Sequence, residues 1–160
     1  EAFPLEARFP DLAKSPGFNP RNHFSTVSEI WATTTGLRNG ATELFSLIET
    51  GAPEERVKTV VADRGSKSPK YYFHEREINA RGYSFLQQQK KVPEAVRMFR
   101  VNAELFPASW NVWDSLGEGL LASGDVAGAR TAYEKSVELN PENRNGKEAL
   151  ARIGEAAAAK

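Results

Sequence analysis

The residues that could do chemistry are few and poorly spaced for it. The two histidines, His23 and His74, stand 51 positions apart, with no partner histidine one helical turn away, so the spacing of a zinc-peptidase helix is missing. A zinc site would have to recruit carboxylates from elsewhere. Two ordinary histidines beside helix starts account for both. The chain has no cysteine, which excludes a thiolate nucleophile, a disulfide frame and cysteine-based zinc sites. No Gly-x-Ser-x-Gly elbow occurs, and no glycine-rich phosphate loop ends in Lys-Ser or Lys-Thr. The glycines of Leu116-Gly117-Glu118-Gly119-Leu120 fall inside a helical pattern, where they serve packing. The residues call for no metal and no cofactor.

Charge is equally undirected. Lys+Arg and Asp+Glu each number 21, so the net charge is zero over 160 residues. The balance holds on both sides of Glu75, at 9 against 9 before it and 12 against 12 from it onward. A chain living on phosphate contacts would show a basic excess, which speaks against nucleic acid as the partner. The cluster Arg56, Lys58, Arg64, Lys67 and Lys70 reads as a solvated loop and helix face. No apolar run approaches the ~18 residues of a membrane span. Glu1 opens no basic-then-apolar leader, so a signal peptide is expected to be absent or already removed. An apolar share of 40% is enough to bury a core.

The elements that must position any site follow from the punctuation. Residues 1–24 hold Pro4, Pro10, Pro16 and Pro20 among Phe3, Phe9, Phe18 and Phe24, which predicts an extended strap resting on apolar surface. Residues 25–74 read as helices, with room for a degenerate repeat. Thr26 and Glu29 have capping-box spacing, Val27, Ile30 and Trp31 share a face, and Gly36 can close that helix. A turn is expected at Arg38-Asn39-Gly40, then a helix over 41–50 ending at Gly51, then one opening at Pro53 with Val57, Val60 and Val61 inward. Gly65–Lys70 reads as a polar loop.

From Glu75 the chain repeats. Laying 76–109 over 110–143, an offset of 34, gives six identities, among them Ala95/Ala129, Leu105/Leu139 and Pro107/Pro141, with Phe99/Tyr133 conservative in the same register. A small residue, an aromatic four positions later and a proline twelve positions later resemble the tetratricopeptide repeat. The second copy adds Trp113, Leu116, Gly117 and Leu120. Each unit is then two antiparallel helices, roughly 76–90 with 93–106 and 110–123 with 126–139. Small residues at Ala95, Gly117 and Ala129 let axes approach, while Trp113, Phe99 and Tyr133 are assigned to the core. Such units bury their apolar faces only by stacking, and Asn143–Ala157 supplies a capping helix. The fold class is therefore all-α: an α-α superhelix of two units (76–109, 110–143) and a cap within 75–160.

A second resemblance bears on His23. The run His23, Ser25-Thr26-Val27, Gly36-Leu37-Arg38 resembles the end of the catalytic domain in esterase-type α/β hydrolases. Segments such as Glu77-Ile78-Asn79 and Asp114-Ser115-Leu116-Gly117-Glu118 are similar to the repeat tails carried by some of those enzymes and by β-lactamase-like serine hydrolases. The resemblance implies that His23 matches a triad histidine in an accessory C-terminal part. A histidine without its serine and orienting carboxylate runs no such chemistry, so no catalysis is expected of this chain alone.

The remaining surface is the row along the first helices of stacked units. It comprises Glu77, Ala80 and Ser84, then Asn111, Asp114 and Glu118, then Glu148 and Arg152 in the cap. Four carboxylates there predict a protein or peptide partner that is basic or neutral rather than acidic. The lysine–asparagine clamp with which some tetratricopeptide proteins hold a chaperone's C-terminal carboxylate is missing: Ala80, Ser84 and Glu148 stand in its place. Two units make a short groove, which favours docking to an attached domain or pairing of two chains.

Overall fold

The chain is described by a computed structural model over residues 36–158. The strap expected over 1–24, the helix expected from Ser25 and His23 lie outside the described residues. Gly36 has a left-handed φ of 71°, and the helix it is expected to close lies outside the described residues.

Asn39 starts the first helix by satisfying one of its unpaired amides, accepting from the Thr42 N–H at 3.2 Å. The helix, α1, spans Gly40–Glu49 and turns Leu44, Leu47 and Ile48 inward. Pro53 caps α2 (Glu54–Ala62), whose Val57, Val60 and Val61 are buried as expected. A 3₁₀ turn over Asp63–Gly65 leads into the polar loop. The turn expected at Arg38-Asn39-Gly40 is corrected here. Arg38–Asn39 (β1) pairs in parallel with Tyr71–Tyr72 (β2), Arg38 opposite Tyr71 and Asn39 opposite Tyr72. The cause lies at Asp63, whose Oδ2 accepts from the Lys70 and Tyr71 amides at 2.7 and 2.9 Å. That grip holds the returning chain extended, and the Arg38 N–H then donates to the Lys70 carbonyl at 2.8 Å.

The repeats follow as drawn. The first unit is α3 (Glu75–Tyr83), prolonged by a π-helical stretch over Ser84–Gln88, and α4 (Val92–Leu105). The second is α5 (Trp110–Ala122) with α6 (Val126–Leu139), and α7 (Arg144–Ala158) closes the stack. Each helix packs on the next from α3 to α7, while α1 packs on α2, α3 and α4. Ala95 and Ala129 have no exposed surface, and Phe99 and Tyr133 are buried beside them. The aromatics press onto glycines. A Cβ on Gly117 would stand 2.8 Å from the Tyr133 ring, and one on Gly82 would overlap the Phe99 ring. In the first unit Gly82 therefore does for Phe99 what Gly117 does for Tyr133. Tyr83, next along, meets the Phe99 ring edge-on at 5.1 Å. Trp113 packs against the core, as expected, but at its edge. It is only partly buried, with its indole N–H donating to the Pro107 carbonyl at 2.9 Å. That bond ties the start of one unit to the end of the last.

Two buried polar groups repeat the same task. The Asn102 amide donates to the Glu75 carbonyl at 3.1 Å, and the Ser136 hydroxyl, 34 positions on, donates to the Trp110 carbonyl at 2.8 Å. In each unit the second helix thereby holds the start of the first. Gly51, Lys90 and Gly124 follow α1, the first-unit helix and α5, each with left-handed φ (68°, 57° and 84°).

Candidate peptide-binding face

The first helices of the units face one another through polar side chains, and these form a ladder. The Asn39 amide donates to Glu77 Oε2 at 2.9 Å, and the Arg81 guanidinium donates to the Thr42 hydroxyl at 2.8 Å, tying α3 to the chain before it. The Asn111 amide on α5 reaches back to Glu75 Oε1 on α3 at 3.1 Å. The Tyr83 hydroxyl donates to Glu118 Oε2 at 2.9 Å and lies 3.3 Å from the Ser115 hydroxyl. From the cap, the Asn145 amide donates to Asp114 Oδ2 at 2.7 Å and lies 3.3 Å from Glu118 Oε1. The Asn143 amide donates to Asp114 Oδ1 at 2.7 Å and to the Ser136 hydroxyl at 2.8 Å.

Of the residues expected on this face, Glu77, Asn111, Asp114 and Glu118 are thus engaged in holding the stack. Asp114 differs most from expectation: it is 7% exposed, both carboxylate oxygens are taken by cap amides, and it serves the docking of α7 more than any visitor. Glu118 stays half-buried with a side open to solvent. Glu148, Arg152 and Ala80 are exposed, and Ser84 is half-buried with its hydroxyl on Gln88. The sequence reading missed Tyr83, Asn143 and Asn145. Asn145 was within reach of it, since Glu77, Asn111 and Asn145 are each 34 positions apart.

The electrostatics follow from placement. Burial, with the Glu118 carboxylate adding to it, holds the Tyr83 hydroxyl well above the ordinary tyrosine range. Burial likewise pushes Tyr133 up to about 12; Glu118 and Asp114 add to the rise and Arg152 opposes it. Both phenols therefore stay neutral at any ordinary pH, and the Tyr83 hydroxyl keeps its proton for Glu118. Elsewhere, His74 is exposed, its ring edge-on to Tyr72 at 5.7 Å. Arg56, Lys58, Arg64, Lys67 and Lys70 are all exposed. Two of them are occupied: Lys58 pairs with Glu55 at 3.1 Å, and Arg64 stacks over the Phe106 ring at 4.6 Å. Among the described residues no three His, Cys, Asp or Glu side chains are placed to hold a metal ion, and no helix is long and apolar enough to cross a membrane.

The comparisons with known proteins agree with this geometry. The tetratricopeptide repeat family model matches residues 110–153. A solved structure titled as the first TPR of Spaghetti (RPAP3) bound to the HSP90 peptide SRMEEVD superposes with a TM-score of 0.52, covering 76% of this chain and 97% of its own at 17% identity. The fold is a tetratricopeptide-type helical repeat. No curated protein matches the chain. The tetratricopeptide-type stack accounts for the ladder, since each first helix must meet the first helices before and after it.

Proposed function

We propose that the protein is an interaction module whose row of first helices takes an extended peptide or an attached domain, with no catalysis of its own. The similar structure carries a bound peptide, which supports a peptide as the class of partner. The peptide named there holds three acidic residues, and this face is ill suited to such a sequence. Its open carboxylates are Glu118 and Glu148, Arg152 is exposed on the same helix as Glu148, and the donors nearest Glu118 are the neutral Tyr83 and Asn145. Carboxylates that meet neutral donors and no cation keep their charge, and on a recognition surface they select a basic or neutral strand. The single observation carrying this reading is Glu118, held in place by hydroxyl and amide donors and by no cation. The segments that resemble hydrolase tails, Glu77-Ile78-Asn79 and Asp114 to Glu118, are occupied with packing and stacking, and so need no catalytic role.

The test is fluorescence anisotropy with three extended peptides, lysine-rich, neutral and glutamate-rich, against the chain and its Glu148→Lys variant. The lysine-rich peptide is expected to bind best, and the variant to lose about two- to fivefold, the size of one exposed charge pair. Raising salt should weaken it similarly. Equal binding of the acidic peptide, or an unmoved affinity with unchanged helical circular dichroism, sinks the reading. Asp114 is unsuited to the test because reversing it would undock α7.

A further inference from the structure

The chain contains two Asn-Gly pairs, Asn39-Gly40 and Asn145-Gly146. In both, the asparagine amide is a donor to a carboxylate of the ladder: Asn39 to Glu77, Asn145 to Asp114 and Glu118. Glycine after asparagine leaves the following peptide nitrogen unshielded by a Cβ, the arrangement in which that nitrogen most readily attacks the side-chain carbonyl. The two pairs differ in how they are held. Both glycines are buried and both are crowded where a Cβ would go, but Asn39 is itself half-buried and its side-chain oxygen is tied to the Thr42 N–H at 3.2 Å. Asn145 is exposed. Gly146, like Gly40, lies in the first turn of its helix, where amides have no intrahelical carbonyl to donate to, and its N–H meets the Asn143 side-chain oxygen at 3.2 Å. That single side-chain hydrogen bond, and no helical one, has to break for the nitrogen to react.

We infer that Asn145 is a site of spontaneous deamidation, and that its conversion loosens the cap from the repeat stack. In the first step the Gly146 nitrogen gives up its proton and bonds to Cγ of Asn145. The Cγ–Nδ2 bond breaks, and the amide leaves as ammonia with that proton. Water then opens the five-membered imide at either carbonyl, leaving aspartate or isoaspartate. No electron transfer is involved, and water is the sole co-reactant. The product exchanges a donor for an anion. Where Asn145 held Asp114 at 2.7 Å and lay 3.3 Å from Glu118, a third carboxylate now faces two, and like charges at such range repel. Asn143 alone then bonds the cap to Asp114.

The full chain is incubated folded, at mildly alkaline and at acidic pH, and digested. Peptide mass spectrometry then reads the mass gain and the paired aspartate and isoaspartate products. Asn145 is expected to convert several-fold faster than Asn39, faster at alkaline pH, and to lose that advantage when the chain is unfolded in urea. An Asn145 that keeps its amide while the unfolded chain converts, or that reacts no faster than Asn39, overturns the site. The consequence is read separately on the Asn145→Asp variant by hydrogen exchange. Amides of α7 should exchange several-fold faster than in the parent chain, and Glu118→Gln in the same background should recover part of the difference. Unchanged exchange in α7, or no recovery with Glu118→Gln, overturns the claimed loosening. Neither result depends on whether the face binds a peptide.

Discussion

Lys90 occupies a position that chemistry reserves for glycine. Its φ of 57° has the left-handed sign of Gly124 at the same place in the next unit, 34 positions on, and a left-handed L-residue is strained by about 1–2 kcal/mol. Lys90→Gly is therefore expected to stabilise the fold by about 0.5–1 kcal/mol after the added freedom of the unfolded chain is subtracted, read as a raised urea midpoint with unchanged slope. Asp114 runs the other way. Asp114→Ala leaves the buried Asn143 amide with Ser136 alone and frees Asn145, at a cost of about 1–3 kcal/mol for the unpaired N–H, measured by the same titration. Tyr133 sets a pH dependence. Its folded pKa is raised from the ordinary 10.0 to about 12, so the unfolded chain ionises first. The stability it contributes is whole below about 10 and is lost as pH rises through about 12. Tyr133→Phe should flatten that alkaline decline in urea midpoint. Of these residues the sequence showed only Tyr133 in its true role. Lys90 is hidden because nothing in its side chain announces a left-handed backbone, and Asp114 because an acid on a helix face looks alike whether water or an amide meets it.

Elements were far more legible. Alanines and aromatics recurring at one offset imply close-packed helix pairs because only one arrangement buries both, and Ala95, Ala129, Phe99 and Tyr133 stand as drawn. Two departures have local causes. β1 and β2 exist because the Asp63 carboxylate holds a loop end extended, a tertiary grip with no sequence signature. The π-helical stretch in Ser84–Gln88 carries Phe85, fully buried and stacked on Phe45 at 4.4 Å. The matching place in the second unit is Gly119, where the Phe99 ring would lie 2.8 Å from a Cβ. One unit thus inserts a ring where the other makes way for one. Close approach of α5 and α6 can be tested at Gly117. Gly117→Ala drives a methyl into Tyr133, which is itself enclosed, and should cost about 1–3 kcal/mol as overpacking, read by thermal or urea unfolding.

At the scale of the molecule, the stack gains stability from neighbour to neighbour, and α7 packs on α6 at one end of the described residues. Ala149 and Ile153 are buried there, with Leu150 packed beside them. Truncation after Asn143 is expected to cost on the order of 3–5 kcal/mol from lost apolar burial alone, seen as a lower and broader thermal transition. The ladder along the first helices carries a last consequence. Glu118 already answers to Tyr83 on one side and Asn145 on the other, so on the reading proposed above an arriving lysine competes with the protein's own members for the same two oxygens. A guest that wins that contest pulls apart the joint it lands on, and its affinity and the rigidity of its host rise and fall in opposition.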